Sequence, residues 1–470
     1  MEYSHAWPLG DQRVPIDCWR HAEINLGQIT GRTPRSDRNL RYNWFWDRMY
    51  DSLAIWYFKR RPWFYRVWIL QEAALCSDGM LKCGADEISW LDFNDYYFWN
   101  PGEKSFLPSR AEGCITNRLV RKRDIPADLF DAFAMNEGSS ATDPRDKIYG
   151  VLAFVRYNDY IDIEVDYSQD PADVFLKFTI ATLKARPDLD ILSRSQGVRK
   201  SNKDLPTWSL SWNYTEGQLW FPDSYAGHNF KKVGNRCEAW ATNNSKPRVN
   251  FLEDGKVLGL FSSAFDEVVA VGIPMYDRDS DIWTGAQWFR AYVSWRDVFD
   301  LDSPRVYEPT GQNRREVFWR MLKWFLLAGA IDKTREEKEF AAFDDVVMKL
   351  TNLLPRYLFG VQIGIILLTI WDTFITSAFF AGVYIAFPSW LFDATAGWGR
   401  TMLRTSRGYV GLSLPTVEVG DRIFLVHGSK APLVLRKHGE RWLLVGEACI
   451  HGIMDAEAFD ESKGEMIWIE

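Results

Sequence analysis

The sequence is organised around residues 61–72, Arg61-Pro-Trp-Phe-Tyr-Arg-Val-Trp-Ile-Leu-Gln-Glu72. Pro62 suits the first turn of a helix, because its missing N–H would have no partner there anyway. No further proline and no glycine interrupts the stretch, so the helix is expected to continue. On such a helix the side chains form two largely apolar ridges: Phe64, Trp68 and Gln71, and beside them Trp63, Val67 and Leu70. The pattern therefore predicts a buried helix that carries Arg66 and Glu72 on or beside its ridges.

Two interpretations of these charged residues follow. A buried charge is strongly unfavourable unless it is paired. In the first interpretation, the helix belongs to the core, and Arg66 and Glu72 are paired with groups elsewhere in the chain. In the second, Glu72 lies at the edge of a pocket with a raised pKa, which makes it a weak candidate for a catalytic carboxylate.

Composition narrows the class of protein. A chain of 470 residues is long enough for two or three domains. It contains 23 tryptophans, most of which must pack in cores or interfaces. The formal net charge of −7 disfavours nucleic-acid binding, and the amino terminus shows no signal peptide, so we expect a cytoplasmic protein. The six cysteines are scattered without zinc spacing, so no metal site is expected: Cys18, Cys76, Cys83, Cys114, Cys237 and Cys449.

A second informative stretch is Thr142-Asp-Pro-Arg-Asp-Lys-Ile-Tyr-Gly150. Asp143 and Pro144 are a cap and a first helical residue in series, which predicts a helix start. Arg145 and Asp146 then fall in its first turn. Either they form a surface ion pair on a capped helix, which contributes little to stability, or they have a functional role.

The middle of the chain mixes strands and helices. We predict a short strand at Ile163–Tyr167 and a helix capped by Asp170 and Pro171. Glu253-Asp-Gly255 between two apolar runs predicts a hairpin of Val249–Phe251 with Lys256–Phe261, followed by a third strand at Phe265–Val271. The further predicted helices are Trp288–Trp295, Glu316–Leu327 and Thr334–Asn352, and a helix from Tyr42 to Tyr57 precedes the opening stretch.

Residues 357–392 are almost entirely apolar, with Asp372 as their one charge. A window such as Val361–Phe380 is long enough to cross a bilayer. A carboxylate near its centre, however, is unfavourable by about 2.5–3.5 kcal/mol. We favour two buried or interfacial helices, and membrane association through 357–392 stays the alternative.

The carboxy-terminal part predicts a small β-meander. Its strands are Tyr409–Leu412, Arg422–Val426, Leu433–Arg436, Arg441–Val445 and Ala448–Ile450. Turns are predicted around Gly420, Gly428 and Gly439. Asp421 is most simply a turn residue, and His451 is most simply a histidine with satisfied hydrogen bonds.

These stretches resemble the fungal heterokaryon incompatibility (HET) family. Residues 61–72 match its signature R-x-W-F-x-R-x-W-x-x-Q-E, and the strings DPRDKIYGVL, VGDRIFLVHG and VGEACIHGIM match further blocks. The matching positions are Arg61, Trp63, Phe64, Arg66, Trp68, Gln71, Glu72, Asp143, Pro144, Arg145, Asp146, Tyr149, Gly150, Asp166, Tyr167, Gly408, Tyr409, Gly420, Asp421, Arg436, Gly446, Glu447, His451 and Gly452. The family's amino-terminal blocks are not found before Trp44, so only the carboxy-terminal portion of a HET domain is expected.

The resemblance implies an α+β (mixed α/β) fold with a partial TIR-like α/β unit, a helical middle and a small carboxy-terminal β-meander. The expected regions are the HET portion at 1–76, a mixed α/β region at 77–245, a hairpin and helical region at 246–356, the hydrophobic helical segment at 357–392, and a β-rich element at 393–470. The separate tryptophan–arginine–carboxylate blocks are expected to pack into one interior.

For function, the resemblance implies non-self recognition (heterokaryon incompatibility) and programmed cell death signalling, mainly through contacts with other proteins, including other incompatibility proteins. No phosphate-binding loop and no hydrolase motif is present, so no cofactor is expected and catalytic residues stay unknown. One alternative is a TIR-like enzyme that uses Glu72 to cleave NAD or another nucleotide, an interpretation that rests on fold analogy alone. The other alternative is an inactive truncated family member. The sequence does not predict an oligomeric state.

Overall fold

The computed structural model describes residues 63, 66–69, 72, 79–83, 86–89, 139–152, 163–186, 188–195, 197–199, 205–210, 241–275, 285–322, 338, 340–341, 344–345, 348 and 400–470. The chain divides into two compact units, Met1–Asp159 and Tyr160–Glu470. Within the described ranges no helix has both the length and the hydropathy to cross a membrane. The predicted helix at 42–57 and the hydrophobic segment 357–392 lie outside those ranges.

The first unit contains a short hairpin and a short helix. Strands β1 (Met80–Cys83) and β2 (Asp86–Ser89) pair antiparallel. Helix α1 spans Asp146–Leu152, three residues after the predicted cap at Asp143. Residues 67–69 are helical, and Arg66 just before them bridges Ser140 in a parallel arrangement.

The second unit begins with helix α2, Pro171–Ala185, as its cap sequence predicts. The carboxylate of Asp170 accepts a hydrogen bond from the backbone N–H of Ala172, and Pro171 occupies the first turn. The short helix α3 follows at Asp190–Ser193. Longer helices α4 and α5 span Gly285–Phe299 and Arg314–Leu322, so both predicted helices exist with shifted ends. Of the predicted helix Thr334–Asn352, the described residues are helical.

The predicted strand at Ile163–Tyr167 is wrong. These residues form no strand, and Val165 and Tyr167 are exposed. The physical reason is a local turn. The carboxylate of Asp166 accepts bonds from both the backbone N–H and the hydroxyl of Ser168, which offers the backbone an alternative to a ladder.

The hairpin prediction at 249–261 is confirmed and extended. Strand β3 spans Val249–Leu252, and β4 spans Val257–Val271, so the predicted third strand is the second half of β4. The turn between them places Asp254 and Gly255 in the left-handed region, with φ of 52° and 87°.

The remaining strands complete one eight-stranded sheet among the described residues. They are β5 (Thr401–Thr405), β6 (Val410–Ser413), β7 (Arg422–Val426), β8 (Leu433–His438), β9 (Arg441–Ile450) and β10 (Glu465–Ile469). Neighbours follow the order β4-β5-β6-β9-β8-β7, and β7 pairs again with β4. The sheet therefore closes into a barrel. Strand β10 pairs with the first half of β4 and touches β9.

The expected β-meander is confirmed for β7, β8 and β9, which pair in chain order, and is wrong for β6. In a meander β6 would pair with β7, but β6 lies between β5 and β9, and β7 lies between β8 and β4. The predicted break in β9 is a bulge: Val434 pairs with Gly446, whereas Leu435 pairs with Leu444. Local hydrophobic patterns place strands but do not identify distant partners.

The barrel separates two apolar cores. One core lies inside it and includes Leu403, Ile423, Val434, Val445 and Ile450. The other lies on its outer face, where α4 and α5 cover β5, β6 and β9; its members include Trp295, Phe318, Met402, Leu412 and Cys449. Adjacent residues such as Met402 and Leu403 belong to different cores, as alternation along a barrel strand requires. The fold is α+β.

Candidate functional sites in the two units

The first candidate site is the described part of residues 61–72. Val67 and Ile69 are buried, and Trp68 is half-buried. Arg66 and Glu72 are exposed to solvent, and the side chain of Trp63 is 37% exposed. The prediction that Arg66 and Glu72 are buried charges is wrong. Arg66 lies in the bridge to Ser140 and precedes the helical residues 67–69, so the periodicity of a helix that starts at Pro62 does not apply to it. Arg61, Phe64 and Gln71 lie outside the described residues.

The block at 143–150 meets this stretch directly. The indole Nε1–H of Trp68 donates to Oδ2 of Asp146 across 3.1 Å. Gly150 faces Val67 so closely that a Cβ at Gly150 would lie 2.9 Å from Cγ2 of Val67. Tyr149 is buried beside it. The two sequence blocks therefore share one interior within the first unit, as expected.

Arg145 forms an ion pair with Asp143, whereas the sequence suggested a pair with Asp146. Its guanidinium binds Asp143 through two bonds of 2.9 and 2.7 Å, in the turn before α1. These bonds lower the pKa of the Asp143 carboxyl against the opposing effect of burial. Asp146 is thus left to accept from Trp68, and the pair Arg145–Asp143 fixes the turn that includes Pro144.

The second candidate site is a group of side chains on the outer face of β9 and directly after it. Glu447 and Cys449 alternate along β9 and so face the same way, and His451 follows the last residue of the strand. Nη2 of Arg400 lies 3.2 Å from Oε1 of Glu447, and both side chains are at least 98% buried. Nε2 of His451 lies 2.6 Å from Oε1 of Gln312, and the backbone carbonyl of His451 accepts from the hydroxyl of Tyr307.

Burial keeps the side chains of Cys449 and His451 in their uncharged forms, as expected for residues of a protein core. Burial, and then the charge of Glu447, raises the pKa of the Cys449 thiol well above its usual range, so the nucleophilic thiolate is disfavoured. Burial and the charge of Arg320 lower the pKa of His451 to about 4, so the imidazole is neutral at pH 7. A thiolate–imidazolium pair is therefore not formed. The described residues also contain no cluster of three side chains that would hold a metal ion.

The other matched carboxy-terminal residues secure turns. Asp421 is 2% exposed, and its carboxylate accepts from Arg436 at 2.8 and 3.0 Å, so it is a buried ion-pair partner at a turn. Gly408, Gly420, Gly446 and Gly452 have positive φ. Only at Gly446 and Gly452 would a Cβ also meet a neighbour below 3 Å, Leu414 and Thr310 respectively. Tyr409 packs edge-on against Phe265 at 5.0 Å.

Sequence reasoning missed a third polar cluster, at α3. Asp188 and Asp190 are buried, and Nζ of Lys430 lies 2.6 Å from Oδ2 of Asp190. Arg186 binds Asp188 through two bonds. The Asp-x-Asp spacing is visible in the sequence, but nothing there identifies Lys430, which comes from the β7–β8 loop.

The comparisons with known proteins agree with this architecture. Residues 388–469 match the family model of the Het-6 beta-barrel domain. The chain is 23% identical over 477 aligned residues to heterokaryon incompatibility protein 6, OR allele, of Neurospora crassa. That alignment covers 87% of this chain and 66% of the relative, so the chain spans slightly less than two thirds of the relative's length. No solved structure matches the chain significantly.

The protein is thus an α+β chain built around a carboxy-terminal barrel of the Het-6 type. The family model over residues 388–469 and the alignment over most of the chain show that it is similar to fungal heterokaryon incompatibility proteins. The structure adds that β4, from upstream of the matched range, is a full member of that barrel.

Proposed function

We propose that this protein acts in heterokaryon incompatibility, that is, in non-self recognition that leads to programmed cell death, and that it works in the cytoplasm through contacts with other proteins. The name of the Neurospora crassa relative and the family model support the first part. The second part is supported by one observation: the side chains with catalytic potential on β9 are buried and engaged, whereas Trp63 and Arg66 are exposed.

Exposed tryptophan beside arginine suits protein recognition. Both residue types are enriched among the side chains that dominate binding energy at interfaces, because a large rigid ring or a planar cation gives much contact for little entropy. Trp63 and Arg66 lie on the same short segment, which is anchored by buried Val67 and Ile69. The partners we propose are other incompatibility proteins.

The test is expression of the chain in a filamentous fungus, with and without candidate incompatibility partners, followed by counting of dead hyphal compartments. We expect death to depend on a partner and to fall at least about tenfold in a Trp63→Ala variant, as for a binding-dominating aromatic residue. The matched control is Met80→Ala, since Met80 is 62% exposed in the same unit and is expected to leave killing unchanged. Unchanged killing by Trp63→Ala at equal protein level would contradict recognition through this segment.

A second test addresses the enzymatic alternative. We expect purified protein incubated with NAD to release no nicotinamide above the buffer rate, because the side chain of Glu72 is exposed to solvent. The matched variants are Glu72→Gln and Glu87→Gln, since Glu87 is an exposed carboxylate on β2. Nicotinamide release that Glu72→Gln abolishes and Glu87→Gln retains would replace the contact proposal with an NAD-cleaving activity.

A further inference from the structure

Two adjacent buried carboxylates lie where α2 ends and α3 begins. Asp188 and Asp190 are 7% and 3% exposed. The carboxylate of Asp188 accepts from the backbone N–H of Asp190 at 3.2 Å and from the guanidinium of Arg186 at 3.1 and 2.9 Å. Asp188 therefore has its own cation, and Asp190 has a negative neighbour.

The partner of Asp190 comes from the barrel. Lys430 lies in the β7–β8 loop, and its Nζ donates to Oδ2 of Asp190 at 2.6 Å. The same loop is joined to this segment through the backbone, because the N–H of Leu189 donates to the carbonyl of Gly428 at 3.1 Å. On its other side the loop is fixed by the hydroxyl of Thr242, which donates to the carbonyl of Ser429 at 2.8 Å. The Asp190–Lys430 pair is thus the charged contact of a small interface.

We propose that Asp190 and Lys430 form a pH-sensitive clamp that fastens residues 188–195 to the β7–β8 loop of the barrel, more firmly as the pH falls. This regulatory device goes beyond the proposed function and does not depend on it. A proton on Asp190 weakens its attraction to Lys430, but it also removes a buried charge and the repulsion by Asp188. These two gains outweigh the loss, so the segment docks more firmly when Asp190 is protonated.

The charges around Asp190 determine whether docking of residues 188–195 becomes firmer or weaker as the pH falls. Burial, and then the negative charge of Asp188, raises the pKa of Asp190 from its ordinary 3.8 to about 6, while Lys430 and Arg186 oppose the rise. Within the same loop, burial and Arg248 lower the pKa of His427, so this histidine does not add a charge near neutral pH. Arg194, on the clamped segment itself, is also buried.

The sign follows from linkage. In the opened segment Asp190 meets water and titrates near its ordinary pKa, whereas in the docked segment it holds its proton up to about pH 6. The docked state therefore binds more protons between these two values. The stabilisation of docking is fully present below the ordinary pKa and is lost as the pH rises through about 6.

The test is hydrogen–deuterium exchange of the full chain at acidic and at mildly alkaline pH, corrected for the intrinsic exchange rate. Between about pH 7.5 and about pH 5 we expect the peptide covering 188–195 to become about tenfold better protected, as linkage with these two pKa values requires. Peptides from α4 are the internal reference for intact folding. Protection of 188–195 that is independent of pH, with α4 protected, would overturn the proposal.

Three near-isosteric variants sharpen the test. Asp190→Asn should remove the pH response of the 188–195 peptide. Asp188→Asn removes the like charge and should move the midpoint of the response to lower pH, whereas Lys430→Met removes the cation and should move it to higher pH. A full tenfold response in Asp190→Asn, with α4 still protected, would show that another group titrates and would refute the clamp.

Discussion

A Glu447→Leu variant is expected to lose about 3–5 kcal/mol of the free energy of unfolding, because it removes from the core the carboxylate that pairs with the buried guanidinium of Arg400. Arg400 and Glu447 are 2% and 1% exposed and lie 3.2 Å apart on the helix-covered face of the barrel. The guanidinium of Arg400 is planar and bulky, and its side chain is 2% exposed. Denaturant unfolding monitored by far-UV circular dichroism measures the loss.

Two controls separate the pair from general damage to the core. The double variant Arg400→Met/Glu447→Leu should recover much of the lost stability, since an apolar pair of similar volume is often neutral in such positions. Arg422→Met removes one member of the exposed pair with Glu267, 3.7 Å apart, and should change stability by less than about 1 kcal/mol. A double variant as unstable as the single one would contradict the explanation by unpaired charge.

A Trp295→Ala variant should have an effect of similar size, about 3–5 kcal/mol, from loss of a large buried side chain. Trp295 on α4 is fully buried, and its indole Nε1–H donates to the carbonyl of Ile273 at 2.8 Å. Gly272 lies beneath the ring, where a Cβ would meet Cδ1 at 2.7 Å. The ring therefore fastens α4 to the end of β4.

The same unfolding measurement distinguishes packing from hydrogen bonding. Trp295→Phe keeps much of the apolar contact and loses the bond to Ile273, so its effect should be clearly smaller than that of alanine. Val306→Ala, at a position 54% exposed, should stay within about 0.5 kcal/mol of the parent. Equal losses in the phenylalanine and alanine variants would assign the effect to the hydrogen bond instead of the cavity.

Elements whose bonds lie within a few residues were predictable from the sequence. Asp170 and Pro171 specify the start of α2 through one short side-chain bond and a fixed φ, and both features are present. The turn at Glu253–Gly255 has three residues with positive φ, and the Asp254-Gly255 dipeptide supplies two of them. Both elements were predicted because their determining contacts are local.

Barrel closure was not predictable, because it depends on contacts between distant residues. The pairing of β4 with β5 and β7 joins stretches whose hydrophobic patterns fit several neighbours equally well. At the candidate sites, the resemblance singled out Glu447 and His451, but no local rule identifies Arg400 or Gln312 as their partners. A continuous helix from Pro62 would place Glu72 beside a buried ridge, but Arg66 forms a bridge to Ser140 and Glu72 is exposed.

The long strand β4 has a consequence for biosynthesis. One edge of its first half pairs with β3 and the other with β10, which lies roughly 200 residues further along the chain. The hairpin of β3 and β4 therefore leaves the ribosome long before that partner exists. During this interval the unpaired N–H and C=O groups of β4 are a template to which other nascent chains can add. This edge of β4 is therefore closed only when the last strand of the chain has been translated.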